Sequence, residues 1–285
     1  MITVTAASGR LGRLVTEELL QRGVPADQIV AAARTLHKAA DLAARGLQVR
    51  EADYTRPETL ATAFAGTDKL LLISSDVAGQ RFGHAKNAVQ AAVDAGVGLL
   101  AYTSFVNADT SSLVLAEEHK QTEALIRESG LPYVLLRNGA YIEMYTENLG
   151  PALQFGAIVG SAADGKVSGA TRADLAAAAA VVLTSEGHAG KVYELGGQPF
   201  TMADLAAEVS KQTGKPIAYQ NLPVAEYAKV LVGVGLPEPF ANVLADTSLG
   251  IARGDWYTTS TDLQRLIGRP STPLADAVAA ALKTS

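Results

Sequence analysis

Met1-Ile-Thr-Val-Thr-Ala-Ala-Ser-Gly-Arg-Leu-Gly12 opens the chain and decides its fold. The β-branched run Ile2 to Val4 stops at small residues, and Gly9 and Gly12 then open a helix through Leu14, Val15 and Leu19. That is a strand, a tight turn and a helix N-terminus whose free N–H groups can hold a pyrophosphate. The loop that would present those groups is Ala6, Ala7, Ser8, Gly9, Arg10 and Leu11. A second strand, Ile29 to Ala33, runs into Arg34. A dinucleotide fold that prefers NAD carries an acid at that place, for the ribose 2′-hydroxyl. A guanidinium there suits a 2′-phosphate instead. The pattern therefore predicts an NADPH site.

The rest of the first half repeats the opening. Strands are predicted at 2–6, 28–33, 47–51, 68–74, 98–103 and 132–137, and helices at about 11–22, 36–45, 57–65, 78–95 and 114–129. Apolar runs such as Lys69-Leu-Leu-Leu-Ile73 do not alternate with polar residues, as befits strands covered on both faces. Gly23, Gly46, Gly66, Gly96 and Gly130 mark the helix ends. Strands alternating with helices in this way give an α/β, Rossmann-like, doubly wound parallel sheet.

After Arg137 the alternation stops. Residues 138–165 are rich in Gly, Asn and Tyr, and an alanine-rich helix follows from Asp174 to Leu183. A strand is expected at Lys191 to Leu195, an amphipathic helix at Thr201 to Thr213, a short strand at Pro216 to Gln220 and a last helix at 272–283. The expected division is a dinucleotide-binding unit at 1–137 and a smaller mixed α/β lid at 138–285, interleaved with it over the carboxyl edge of the sheet.

Composition removes whole classes of function. The 285 residues include no cysteine, so disulfides, thiolate nucleophiles and zinc–thiolate sites are all absent. His37, His84, His119 and His188 are scattered without ligand partners at useful spacing, and no metal is expected. A net charge of −5 argues against nucleic acid or an anionic membrane as the main partner. The N-terminus enters a strand at once, and no apolar run approaches the ~20 residues of a membrane helix, so a cytoplasmic protein is expected.

With these elements placed, the chain resembles the NmrA-like branch of the atypical short-chain dehydrogenases. Within it, the chain is most similar to the type 2 NAD(P)H:quinone oxidoreductases, with triphenylmethane dye reductases as close cousins. The likeness is carried by Leu70-Leu-Leu-Ile-Ser-Ser75, Ala101-Tyr-Thr-Ser104 with Ala108-Asp-Thr-Ser111, Leu135-Leu-Arg-Asn-Gly139, Ala170-Thr-Arg-Ala-Asp174, Lys191-Val-Tyr-Glu-Leu195 and Tyr219-Gln-Asn-Leu222. The resemblance implies an NADPH-dependent reductase that passes hydride to a small quinone without flavin. As the second reading it admits a non-catalytic redox sensor that binds NADP, and a homodimer is common among such proteins. One residue departs from the family turn, which begins with glycine where this chain has Ala6. A Cβ there is expected to crowd the backbone or the adenosine and to weaken binding. The resemblance also gives Asp53 a role toward the adenine amino group, against the alternative of a plain turn aspartate.

Ligands in such sheets sit beyond the carboxyl ends of the strands. Ser74 and Ser75, then Thr103 and Ser104, are expected to hold the nicotinamide half of the cofactor. Phe105, Arg137, Asn138, Gly139, Ala140, Tyr141 and Tyr145 are expected to line the acceptor site, the aromatic rings by stacking. Short-chain dehydrogenases that reduce ketones use Tyr-x-x-x-Lys on the helix after the fifth strand, where tyrosine donates a proton as hydride arrives. None of the nine tyrosines is followed by lysine four residues later, and Leu115 and His119 occupy the expected places. Loss of that acid suits a quinone, whose reduction restores aromaticity and leaves a phenolate-like oxygen that water can protonate. His119 and Tyr141 are the candidate catalytic groups, His119 by touching the ribose or by supplying a proton near neutral pH.

Overall fold

The computed structural model describes residues 1–147 and 149–283. Its centre is one parallel sheet. In chain order the first six strands are β1 (Ile2–Val4), β2 (Ile29–Ala33), β3 (Gln48–Glu51), β4 (Lys69–Leu72), β5 (Leu99–Phe105) and β6 (Tyr133–Asn138). The connecting helices are α1 (Arg10–Gln21), α2 (Ala40–Ala44), α3 (Pro57–Phe64), α4 (Arg81–Asp94) and α5 (Val114–Glu128). Each lies within a few residues of its predicted span, because apolar runs and terminal glycines set both ends. The segment after β2 begins as a 3₁₀ turn at Leu36–Ala39 before becoming α2.

Beyond β6 come α6 (Glu143–Thr146), α7 (Gly150–Phe155), β7 (Ala157–Gly160), β8 (Lys166–Val167) and α8 (Arg172–Thr184). The chain then re-enters the main sheet as β9 (Lys191–Leu195), which pairs in parallel with β6. The strand order is β3-β2-β1-β4-β5-β6-β9, so the order reverses between β1 and β4. A crevice opens at such a switch point, beyond the carboxyl ends of the strands. The alanine run of α8 is explained by its place. Ala176, Ala178 and Ala180 are fully buried, and their small side chains let α8 lie close to α1 and the sheet. The opposite face is closed by α3, α4 and α5 through Leu60, Phe64, Val89 and Ile126. Strand β6 ends at Asn138, and α8 and β9 pack with the same sheet.

The remaining elements are β10 (Phe200–Thr201), α9 (Met202–Thr213), β11 (Ala218–Asn221), α10 (Val224–Gly233), α11 (Glu238–Arg253), α12 (Asp262–Ile267) and α13 (Leu274–Leu282). Two small sheets, β7 with β11 and β8 with β10, build a second apolar core with Phe105, Ile142, Phe200 and Trp256. Helix α9 starts on a capping box between Thr201 and Asp204 and stops at Gly214 in the left-handed conformation (φ 69°). Among the described residues no helix is long and apolar enough to cross a membrane.

Candidate cofactor and acceptor site

The loop between β1 and α1 is held from three sides. The Ala7 N–H donates to the Ala32 carbonyl (3.0 Å), the Thr5 N–H to the Leu71 carbonyl (3.0 Å) and the Gly9 N–H back to the Ala6 carbonyl (2.9 Å). Gly9 is the N-cap of α1, and no side chain caps the helix, so its first-turn amides face the crevice unpaired by side chains. Gly12 cannot be replaced cheaply. A Cβ there would stand 2.4 Å from the Ala6 oxygen and 2.7 Å from the Ala7 Cα, so only glycine lets α1 pack this close. Ala6 has φ +48°, a conformation natural to glycine. The crowding expected of its Cβ thus takes the form of a strained backbone angle. Leu11 is buried and offers only its backbone.

Arg34 stands immediately after β2, exposed, and donates to no protein group among the described residues. Its charge reaches Asp53, whose carboxyl is held below its usual range chiefly by the Thr55 N–H, with Arg34 and Arg56 contributing. Asp53 Oδ1 accepts from the Thr55 N–H (2.9 Å) and hydroxyl (2.8 Å), the contacts of a turn aspartate. Arg13 was not singled out by sequence. It binds Asp41 and the Lys38 carbonyl, tying α1 to the segment that follows Arg34. Arg10 forms an ion pair with Glu147, which also binds Arg172 at 2.6 Å. Burial alone would raise the Glu147 carboxyl, but the two guanidiniums hold it below the usual carboxylate range. Arg172 in turn lies over the Tyr141 ring, 5.2 Å from its centroid.

At the ends of β4 and β5, Thr103 is buried and its hydroxyl accepts from the Ser74 N–H (2.9 Å), fixing the turn that carries Ser74. Ser75 Oγ lies 2.8 Å from His84 Nδ1, and its carbonyl accepts from Arg81 (2.8 Å). Tyr54 donates to the Ile73 carbonyl at 2.7 Å. Tyr54, Arg81 and His84 thus form a polar belt beneath Ser74 and Ser75. They carry no motif, and their meeting depends on tertiary packing.

Several residues expected at the ligand are committed to the scaffold. The Ser104 hydroxyl donates to Glu123 at 2.6 Å. Arg137 binds both oxygens of Glu123 (2.9 and 2.7 Å), and also reaches Glu194 and Asp109, each at 2.9 Å. Its side chain is 5% exposed and that of Glu123 2%. Two groups read as ligand contacts therefore close a buried ion network joining β5, β6, β9 and α5. Phe105 is buried too, stacked on His119 (6.1 Å) and edge-on to Trp256 (4.6 Å), so it is lid core rather than an open platform. Asn138 and Ala140 are buried, and a Cβ on Gly139 would lie 2.3 Å from the Ser168 carbonyl, which makes these residues the sheet-to-lid joint. Tyr145 packs edge-on against Phe200 (5.8 Å).

The two catalytic candidates are both held without charge. Burial, with the nearby Arg81 charge, lowers the His119 imidazole to about 3. It is neutral at pH 7, which corrects the expected proton donor. The Tyr141 phenol is raised by burial, against a hydrogen bond from Asn138 and the Arg172 charge. Among the described residues no group of three or more His, Asp or Glu side chains is placed to hold a metal ion.

Comparison with known proteins bears on this site. Residues 6–186 match the family described as NAD(P)H-binding. The chain is 50% identical to quinone oxidoreductase 2 of Escherichia coli (strain K12) over 279 residues, 98% of this chain and 97% of that one. Among solved structures, an NADPH-dependent quinone oxidoreductase from Escherichia coli complexed with NADPH superposes with a TM-score of 0.96 at 49% identity, covering 99% of this chain and 100% of that one. Triphenylmethane reductase from Citrobacter sp. complexed with NADP(H) gives 0.95 at 44% identity, covering 99% of this chain and 100% of that one.

Proposed function

The chain belongs to the NAD(P)H-binding family, and from that premise we propose that it is an NADPH-dependent reductase of small quinones. The observation that carries the proposal is Arg34, a free guanidinium at the carboxyl end of β2, beside a helix N-terminus that no side chain caps. Its cation would meet the 2′-phosphate, while the first-turn amides of α1, with Arg10 released from Glu147, would hold the pyrophosphate. The residues present fit the group. Gly12 lets α1 pack against the Ala6–Ala7 turn, and the uncapped first-turn amides with Arg34 supply the donors.

NADPH, when bound, supplies the hydride. The chain contributes position and an environment without a dedicated acid. Thr103 fixes the Ser74 turn at the nicotinamide end. Leu115 stands where a ketone reductase would place its tyrosine, and His119 is neutral. Solvent can complete protonation of a hydroquinone oxygen, but a simple ketone would be reduced slowly here. A non-catalytic redox sensor has less support, since the full-length likeness at half identity is to an oxidoreductase.

Steady-state NADPH oxidation with small quinones tests the proposal, using folded protein shown by calorimetry to bind NADPH. Quinone-dependent turnover supports it; cofactor binding without turnover above background ends it. A cytoplasmic location and a homodimer belong to the same proposal and are open to fractionation and light scattering.

A further inference from the structure

Tyr102 and His119 form a buried pair at the junction of β5 and α5. Tyr102 lies within β5, fully buried toward α4 and α5, with its hydroxyl 2.9 Å from His119 Nδ1. Two proton arrangements would satisfy that distance, and local chemistry selects one. The phenol is a stronger acid than a neutral imidazole N–H, and imidazole nitrogen is a stronger base than an alcohol or phenol oxygen. The pair is therefore most stable with the phenol donating to Nδ1. Thr122, the other hydroxyl near Tyr102, donates its proton to the Glu118 carbonyl (2.7 Å). Burial also raises the Tyr102 phenol, so it keeps its proton throughout the neutral range.

An imidazole that accepts at Nδ1 carries its proton on Nε2. His119 Nε2 has no hydrogen-bond partner among the described residues, yet it is not among their sealed, unpaired atoms. His119 as a residue is 7% exposed, and its ring stacks on Phe105, the last residue of β5. The open N–H thus lies at the carboxyl end of the strand whose Thr103 holds the Ser74 turn.

We infer that Tyr102 locks His119 in the Nε2–H tautomer, and that this neutral N–H is the donor meeting the acceptor's carbonyl oxygen as negative charge develops there. His119 is then a catalytic residue that gives a hydrogen bond rather than a proton, and Tyr102 is its positioning residue. The quinone receives the hydride with its electron pair, one ring oxygen becomes a phenolate held by Nε2–H, and water delivers the proton that completes the hydroquinone. A preorganised neutral donor of this kind costs no reorganisation as charge forms.

The inference rests on the quinone reductase proposal, and its test separates the two. In the ¹⁵N spectrum of the histidine-labelled full chain, His119 is expected to show protonated Nε2 and bare Nδ1, a pattern that Tyr102→Phe should abolish. That readout needs neither cofactor nor turnover. With a small quinone, His119→Phe should lower kcat by about a hundredfold at unchanged KM for NADPH. Tyr102→Phe should lower kcat by about tenfold, and His119→Gln, whose amide restores a donor, should recover part of the loss. A proton on Nδ1, a kcat indifferent to His119→Phe, or no recovery with a folded His119→Gln would each overturn the inference. Absence of quinone turnover in the unmodified chain would instead defeat the functional proposal, while the spectrum still decides the tautomer.

Discussion

Ala6 sits at φ +48° in a turn whose geometry suits glycine. A left-handed angle costs an L-residue roughly 1–2 kcal/mol, and glycine returns about 0.5–1 kcal/mol of that through its freer unfolded chain. Ala6→Gly is therefore expected to raise stability by up to about 1 kcal/mol in denaturant titrations and to tighten NADPH and NADH together. Unchanged or poorer affinity for both would contradict this view of the turn. On the proposed reading Arg34 would act on one cofactor only. Arg34→Ala is expected to weaken NADPH by about 1.5–3 kcal/mol, the worth of a charged hydrogen bond, and to leave NADH nearly unaffected in calorimetry. His119 has a pH signature as well. Its imidazole falls from 6.5 to about 3 on folding, so the unfolded chain binds the extra proton first as acid is added. Stability from this group is complete above pH 6.5 and declines as pH drops toward 3. Thermal melts of His119→Gln should therefore show a shallower acid limb than the unmodified chain. The place of the glycine loop and of Arg34 at the end of β2 was legible because local backbone geometry and strand length suffice to define it. Ser104, Arg137 and Phe105 were not, because a polar or aromatic residue at a strand end looks the same whether it faces a ligand or a neighbour. Glu123, the partner of both Ser104 and Arg137, lies 19 and 14 residues away from them on another element.

At the level of elements, the approach of α1 to the β1 turn rests on Gly12. In Gly12→Ala the new Cβ meets the Ala6 oxygen at 2.4 Å, a backbone contact that cannot swing aside. A loss of about 1–3 kcal/mol of stability is expected, with both dinucleotides weakened and their ratio unchanged. Sheet and helices were readable as elements because burial on both faces forces continuous apolar runs, and positive-φ glycines such as Gly23 and Gly96 end the helices. Helices α6 and α7 were not, at 4 and 6 residues, since pieces so short take their shape from the core they cover. Glu147, just past α6, bridges the glycine loop and α8 through Arg10 and Arg172.

Across the whole molecule, the Arg137 network joins sheet, α5 and the returning strand β9, so its loss is expected to act on stability before function. Arg137→Leu would leave Glu123 buried without its guanidinium and cost about 3–5 kcal/mol in chemical unfolding, with the quinone KM of the folded fraction unchanged. A specific rise in KM at full stability would restore Arg137 to the acceptor site. On the proposed reading the carboxyl edge divides its labour: β1 and β2 would hold the phosphorylated adenosine and β4 and β5 the reacting end. The most direct trial of that division compares initial rates of NADPH and NADH oxidation by one small quinone, for the unmodified chain and for Arg34→Ala. The account predicts quinone-dependent turnover favouring NADPH, and a fall of at least about tenfold in kcat/KM for NADPH alone on substitution. Equal losses with both cofactors, or no quinone-dependent oxidation above background, would contradict it.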